Sequence, residues 1–507
     1  MKFPAPHKLL LCGAIASVAW LPSATTQADR PGFAGRDPQC RGRHFAQAKN
    51  VILFVGDGMG VSTVTATRIY SVGVDGELVM DQFPYTSLSR TSTTDHITPD
   101  SAGTMTAMMS GENTNSGTIG LNAESERQDF NQDGDTPVTS LLELAKGCGM
   151  KAGVVSTARI THATPAATYA HVNDRDFENE IAAQALPTDP TYNAKLGDGV
   201  DLLWGGGRRY FVPSGASDEE GEGGSRSDGR DLRAEFQAAG YSYVWNQAGF
   251  DALTAADLPS LGLFDRSHME YEYDRAGDLG GEPSLSEMTA SAVELLEKAS
   301  RRKGYFLMVE SGRIDHGHHA TNAFRAITDA EEFDKAIGAA LMRVDLRDTL
   351  ILVTADHSHV FTMAGYPMRP LADLPYAPTA APADYVSAPH NNLFDVVYDL
   401  NASTGEVYKA SDSNGVPYTI LGYQNGVSYR GTSRVDPYTD PFPGLDGNSP
   451  NGPNDPEYMQ ETAVPIGSET HSAEEVALYA IGAGAWRVRG THQNTFVFDV
   501  MKAASGL

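Results

Sequence analysis

Three short stretches carry side chains of the kind that bind metal ions. In VESGRIDHGHHATNA (309–323), Asp315 and His319 stand four residues apart. A helix through the segment would present both from one face, a spacing suited to two ligands of one ion. In TADHSHVF (354–361), Asp356 and His357 are adjacent at the end of an apolar run, with His359 just behind. In FVGDGMG (54–60), glycines flank Asp57 and let the backbone approach a charged centre. Each stretch also has a plainer reading. HGHH fits a solvated turn, GDGMG a simple strand-to-helix turn, and His471 in ETHSAEE (469–475) an ordinary packing or surface histidine.

Ser101 raises a separate question. PDSAGTMTAMM (99–109) reads as a helix start in which Asp100 or Ser101 caps the first free N–H groups. A nucleophilic serine needs something to take its proton, and no Gly-x-Ser-x-Gly elbow surrounds this one.

The elements that would position these residues can be read from apolar patterning. NVILFVGDG (50–58), KAGVVST (151–157), YFLMVES (305–311), TLILVTADH (349–357) and EVALYAIG (475–482) are near-continuous apolar runs, which predict strands buried on both faces. Helices are predicted after Asp100 and over Val138–Lys146, Ser286–Lys303 and Asn322–Val344. This alternation predicts an α/β fold with a central, mostly parallel β-sheet flanked by helices on both faces. Ligands of such sheets gather where strands end, and Asp57, Glu310 and Asp356–His357 all fall at predicted strand ends. Residues 213–230 (PSGASDEEGEGGSRSDGR) predict a mobile surface loop. Residues 361–468 predict an irregular inserted lobe within a main domain of 29–360 and 469–507. DFNQDGDTP (129–137) mimics the start of a calcium loop through Asp129, Asn131, Asp133 and Gly134. Ser140 stands where the closing Glu belongs, so the run is read as a polar turn before a helix.

Composition sets the bounds. The chain has 507 residues, 41% hydrophobic and 20% charged, the balance of a soluble globular protein. A net charge of −27 disfavours nucleic acid as a partner, and an anionic ester would need local positive charge that metal ions can supply. The N-terminus has Lys2 and Lys8, an apolar stretch from Leu9 to Leu21 and small polar residues after it. This predicts a signal peptide cleaved after Ala28 and an exported protein, periplasmic or extracellular. The stretch is shorter than the ~20 residues of a membrane span. Export leaves Cys40 and Cys148, whose pairing the sequence leaves open.

Taken together, the motifs resemble the alkaline phosphatase family over nearly the whole mature chain. They are GDGMG (56–60), PDSAGT (99–104), THATPAATYAH (161–171), VNDRDFEN (172–179), VESGRIDHGHH (309–319), TADHSHVF (354–361) and ETHSAEEVALYA (469–480). The resemblance implies hydrolysis of phosphate monoesters of broad specificity through a phosphoserine at Ser101, with Arg175 holding phosphoryl oxygens. It implies one Zn²⁺ on Asp315, His319 and His471, and a second on Asp57, Asp356 and His357. It further implies Mg²⁺ on Asp57, Thr164 and Glu310. His162 and His316 would flank the Mg²⁺ site as in animal members; His359, by its place in TADHSHVF, is read as standing behind the Asp356–His357 ligands. Phe264, Asp265 and Glu282 match part of a structural Ca²⁺ site whose remaining acid lies in SDEEGEGG. The inserted lobe resembles the family's crown, near the contact of a homodimer. Rival readings are a phosphodiesterase or sulfatase of the same superfamily, or an exported phosphate- or metal-binding protein without turnover. The sulfatase reading is weakened because Ser101 lacks the Cys/Ser-x-Pro-x-Arg context.

Overall fold

Alternate side chains of the strand β1 (Asn50–Gly56) feed two different cores, and this explains its unbroken apolar sequence. Val51, Leu53 and Val55 join one buried cluster while Ile52 and Phe54 join another on the opposite face. Every residue of the strand is buried, each large aliphatic side chain contributing about 1.5–3 kcal/mol. The computed structural model describes residues 47–128, 135–387, 392–439, 444–445 and 452–507. The signal peptide with its cleavage after Ala28, Cys40, and residues 129–134 of the calcium-loop-like run lie outside the described residues. Cys148 is disulfide-bonded.

Nine further strands complete the main sheet. They are β2 (Tyr85–Arg90), β3 (Lys151–Arg159), β4 (Leu202–Gly206), β5 (Ser242–Val244), β6 (Ser260–Leu263), β7 (Tyr305–Ser311), β8 (Thr349–Ala355), β9 (Val476–Gly482) and β10 (Thr491–Gln493). Their order is β10-β2-β9-β8-β1-β7-β3-β4-β6-β5. Only β9 runs against the rest, pairing antiparallel with both β8 and β2. The predicted mostly parallel sheet is therefore observed.

Helices cover both faces. On one lie α1 (Ser101–Ser110) and α2 (Leu141–Gly147), with the C-terminal helix Phe496–Ser505, packed through Met105, Met108, Leu141, Val497 and Val500. On the other lie α3 (Leu285–Ser300) and α4 (Ala323–Leu341), through Met288, Val293, Phe333 and Ile337. The predicted helix from Val138 begins later, because Ser140 is its cap: the Ser140 hydroxyl accepts from Glu143 N and Glu143 returns the bond.

Residues 361–468 leave the main sheet and build smaller ones. Phe361–Met363, Leu421–Gly426 and Thr462–Pro465 form a three-stranded sheet, and Tyr398–Leu400 pairs with Val407–Lys409. Phe361, Leu421 and Tyr423 of the first sheet pack with Phe324 and Ile327 of α4, which ties this region to the main body.

The run 213–230 lies at the surface as expected, and it is anchored from within. Arg208, fully buried, donates to Asp218 Oδ2 at 2.8 Å and also binds Glu220, while buried Arg226 donates to the carbonyls of Asn179 and Tyr210. A buried guanidinium must have anionic or carbonyl partners, so the acidic run is drawn inward and fixed.

Candidate active site

Three neighbouring parallel strands end in register, and that brings the site together. Gly56 of β1 faces Ser311 of β7 on one side and Ala355 of β8 on the other. Asp57 follows β1, Glu310 closes β7, and Asp356–His357 follow β8, so all four arrive at one rim of the sheet. The chain then turns from β7 into the short helix Arg313–His319, which places Asp315 and His319 on one face as the spacing predicted. A two-residue pairing of His471 with His359 adds two further imidazoles.

The first cluster is Asp315, His319, His359 and His471, whose donor atoms lie within 4.8 Å of one another. Asp315 Oδ1 is 2.7 Å from His359 Nε2, 3.3 Å from His319 Nε2 and 3.4 Å from His471 Nε2. The Nε2 atoms of His319 and His471 face each other at 3.1 Å. Burial raises the Asp315 pKa, but the surrounding imidazoles outweigh it and hold the carboxyl well below its usual range. His319 Nδ1 is fixed by the Glu469 carbonyl at 2.6 Å and His471 Nδ1 by the Pro99 carbonyl at 2.8 Å, which aims both Nε2 atoms inward. His359 is bound on its other side by Glu469, Nδ1 to Oε2 at 2.5 Å. Burial opposes its charge, but these two carboxylates push its pKa up to about 10.

The second cluster is Asp57, Asp356 and His357. His357 Nε2 is 3.4 Å from Asp57 Oδ1 and 3.4 Å from Asp356 Oδ2. Asp356 Oδ1 is oriented by the N–H groups of Gly58 and His357, leaving Oδ2 free. Asp57 Oδ2, Asp356 Oδ2 and His357 Nδ1 are fully buried with no hydrogen-bond partner among the described residues. Ser101 stands over this group, its Oγ 3.1 Å from His357 Nε2 and 3.4 Å from Asp57 Oδ1. The helix cap is Asp100, not Ser101: Asp100 Oδ1 accepts from Gly103 N at 3.2 Å. Ser101 is the first helical residue, and its hydroxyl is free to face the carboxylates.

A third group gathers around Asp57, Glu310 and His162, with donor atoms again within 4.8 Å. Thr164 Oγ1 and Glu310 Oε1 are buried without hydrogen-bond partners among the described residues. Burial, then the charge of Asp356, pushes the Glu310 carboxyl up to about 8; burial and the charges of Asp356, Asp315 and Glu310 raise Asp57. Unpaired buried oxygens crowded by like charge are what a divalent cation satisfies. The donor sets differ in kind. The first is nitrogen-rich and suits Zn²⁺, whereas the third joins the carboxylate oxygens of Asp57 and Glu310 to one imidazole, His162, with Thr164 Oγ1 a further unpartnered oxygen.

Arg175 reaches the same space. Its Nη1 donates to Asp100 Oδ2 at 2.9 Å and its Nη2 to His162 Nε2 at 3.1 Å. A guanidinium only donates, so His162 must accept through Nε2, which leaves that nitrogen engaged. Asp100 thus caps the Ser101 helix and steers Arg175 with one carboxylate.

His316 lies beside His162, with ring centroids 5.7 Å apart, and burial lowers its pKa to about 3. His268 escaped the sequence reading. It packs 4.0 Å from His316 and accepts from Arg159 N at 3.3 Å, yet it sits in GLFDRSH with no motif around it. Glu469, which orients His359, was likewise unmarked. Of the remaining predicted residues, Phe264 is buried against Phe250. Burial, then the charges of Asp265 and Asp278, pushes Glu282 up to about 9, and burial, with the charge of Asp278, raises Asp265. The further acid beside them is Asp278, whose Oδ2 is buried and unpartnered among the described residues, as is Glu282 Oε2. From SDEEGEGG, Asp218 and Glu220 are engaged by Arg208 instead.

The alkaline phosphatase family pattern matches residues 48–507. The tissue-nonspecific isozyme of alkaline phosphatase from Mus musculus is 39% identical over 482 residues, covering 90% of this chain and 84% of that protein. An alkaline phosphatase from Gadus morhua is 36% identical over 490 residues, covering 90% and 92%. The solved Thermus thermophilus alkaline phosphatase is 25% identical with a TM-score of 0.62, covering 94% of this chain and 96% of that one. The chain belongs to the alkaline phosphatase family.

Proposed function

We propose that the protein hydrolyses phosphate monoesters of broad specificity by transferring the phosphoryl group to Ser101 and then to water. The observation that carries this reading is the buried Ser101 hydroxyl, which bonds Asp57 Oδ1 and His357 Nε2 while Asp57 Oδ2 and Asp356 Oδ2 beside it have no partner among the described residues. Asp315, His319 and His471 would hold one Zn²⁺, Asp57, Asp356 and His357 a second, and Asp57, Thr164 and Glu310 a Mg²⁺. When bound, such ions lower the pKa of a nearby hydroxyl and stabilise charge on a departing oxygen, so no histidine base is needed. Phe264, Asp265 and Glu282, with an acid of SDEEGEGG, would form a further oxygen site for Ca²⁺, with Asp278 and Glu220 both beside Gly280.

The chain's own groups do the positioning. Arg175 forks onto two phosphoryl oxygens, a planar recognition that lysine cannot reproduce. The first N–H groups of α1 face the same phosphate. Ser101 Oγ attacks phosphorus in line, the ester P–O bond breaks, and the alcohol leaves. Water then attacks the phosphoserine, releasing inorganic phosphate and restoring the hydroxyl. The natural setting we propose is an exported homodimer, and no helix among the described residues is long and apolar enough to cross a membrane.

Two outcomes test the reading. With one leaving group shared by a monoester, a diester and a sulfate, kcat/KM is highest for the monoester; a diester preference overturns the assignment. Arg175→Lys raises KM for the monoester about 10- to 100-fold, because a point charge replaces a two-point fork, and narrows its advantage over the diester.

Glycine at position 58 provides another check. Its φ is +67°, and a Cβ there would lie 2.3 Å from His359 Nε2, which cannot retreat from its bonds to Asp315 and Glu469. Gly58→Ala is expected to displace His359 and lower zinc affinity about 10- to 100-fold. Metal analysis of the purified variant, after dialysis at fixed free zinc, measures it.

A further inference from the structure

Three imidazoles gather beside the third group. The ring centroids of His268 and His316 are 4.0 Å apart, those of His268 and His162 5.4 Å, and those of His162 and His316 5.7 Å. His162 is the member whose donor atom lies within 4.8 Å of those of Asp57 and Glu310. His268 is not placed to be a ligand itself. Its Nδ1 accepts from the Arg159 N–H at 3.3 Å and its Nε2 lies against Arg159 Nη1, so one residue occupies both nitrogens. Arg159 in turn is forked onto Glu178, Nη2 to Oε1 at 2.7 Å and Nε to Oε2 at 2.8 Å. The chain around His268 is pinned as well. Met269 N–H donates to the Thr157 carbonyl of β3 at 3.0 Å, Glu270 N–H to Glu282 Oε1 at 2.8 Å, and Arg208 N–H to the Asp265 carbonyl at 3.0 Å. At the end of β4 a Cβ on Gly206 would lie 2.1 Å from the Ser267 carbonyl, so the two backbones approach as closely as glycine allows. The His268 ring has no room to recede from its neighbours.

His162 lacks such support. Its Nε2 accepts from Arg175 Nη2 at 3.1 Å, while its Nδ1 is buried without a partner among the described residues. Arg175 is also the group that would fork onto phosphoryl oxygens, so its bond to His162 is given up when phosphate is held. What remains against the His162 ring is the pair His316 and His268. Resting on the third metal site and the Arg175 role above, we propose that His268 is a positioning residue: its ring, with that of His316, props the His162 imidazole toward Asp57 and Glu310 whether or not Arg175 is engaged with phosphate. Side chains that orient a metal site without touching the ion set its affinity, and His268 does so by packing.

Calorimetric titration of Mg²⁺ into the zinc-loaded protein tests this. His268→Ala is expected to weaken Mg²⁺ binding about 10- to 100-fold. Zinc content and thermal midpoint stay close to wild type, whereas a general loosening of the fold would lower all three and overturn the proposal. Two further variants separate the ring from its hydrogen bond. His268→Phe keeps the ring contacts and loses the acceptor for Arg159 N–H, and is expected to bind Mg²⁺ nearly as wild type does. His268→Asn keeps an acceptor and loses the ring, and is expected to resemble the alanine variant. Unchanged affinity in His268→Ala, or weak binding in His268→Phe beside normal binding in His268→Asn, overturns the proposal. Saturating inorganic phosphate, which occupies Arg175, is expected to widen the deficit of His268→Ala; a deficit that narrows also overturns it. Glu310→Gln keeps the two readings apart. Where that variant loses Mg²⁺ and His268→Ala does not, the third site stands and the role of His268 falls. Where wild type takes up no Mg²⁺ beside its zinc, the site itself fails and the role of His268 with it.

Discussion

Ser101→Ala is expected to lower kcat/KM for a phosphate monoester by at least ~10³-fold while zinc content and thermal midpoint stay close to wild type. Removing a nucleophile eliminates the covalent route and leaves only what positioning and charge supply to a direct attack by water. The structure makes this a clean substitution. The helix is capped by Asp100, so losing the Ser101 hydroxyl does not cost the cap. The other carboxylate oxygen of Asp100 still holds Arg175. Asp100→Ala would be less informative, because it releases Arg175 and costs about 1 kcal/mol of helix capping together. Steady-state kinetics, metal analysis and a melting curve on one preparation decide the matter. Near-normal turnover in the alanine variant would mean that the phosphoryl acceptor lies elsewhere.

Stripping metal ions with a chelator is expected to abolish turnover and to leave a protein whose stability falls as pH rises. Glu310 accounts for the sign. Its folded pKa of about 8 lies above an ordinary unfolded value near 4.5, so between these the folded chain keeps a proton that the unfolded chain has released. The stabilisation is complete below about 4.5 and lost as pH rises through about 8. Asp57, also raised, acts in the same direction. His359, held up to about 10 by Glu469 and Asp315 against the cost of burial, adds a loss at still higher pH. On the acid side, burial lowers the pKa of His357 and His316, which removes stability below about 6.5. The stripped protein is thus less stable above pH 8 than near 6.5. Restoring each ion at a thousand times its Kd stabilises by about 4 kcal/mol, and most of the alkaline loss is recovered. Melting curves against pH, with and without chelator, measure this. A stripped protein that is more stable above pH 8 than near 6.5 would contradict it.

Much of the site was legible because it depends on long, buried strands. NVILFVG, YFLMVES and TLILVTA are apolar on both faces, so their ends could be located and the acids at those ends recognised as neighbours. Asp315 and His319 were legible through helical spacing. The shorter strands nearer the sheet's two ends were not. YTSLSR alternates exposed and buried residues at its end, and LLWGG and SYV are too short to give a period. Their strand character comes from partners distant in sequence. His268 and Glu469 went unnoticed because each acts on a histidine far along the chain; Glu469 opens the ETHSAEE motif, but there only His471 was marked. The anchoring of the loop at 213–230 was not legible because Gly, Ser and acid composition suggests solvent, while the buried Arg208 that organises it lies outside the run.

The pairing of His471 with His359 has a bearing on when the protein becomes an enzyme. His471 lies 152 residues beyond its facing partner His319, just ahead of the strand that closes onto β8. A polypeptide leaves the ribosome N-terminus first, so Ser101 and the carboxylates around it emerge long before the imidazole that completes the first cluster. Throughout synthesis the growing chain is unable to cleave the esters around it, and catalysis switches on only when nearly the last segment has joined the fold.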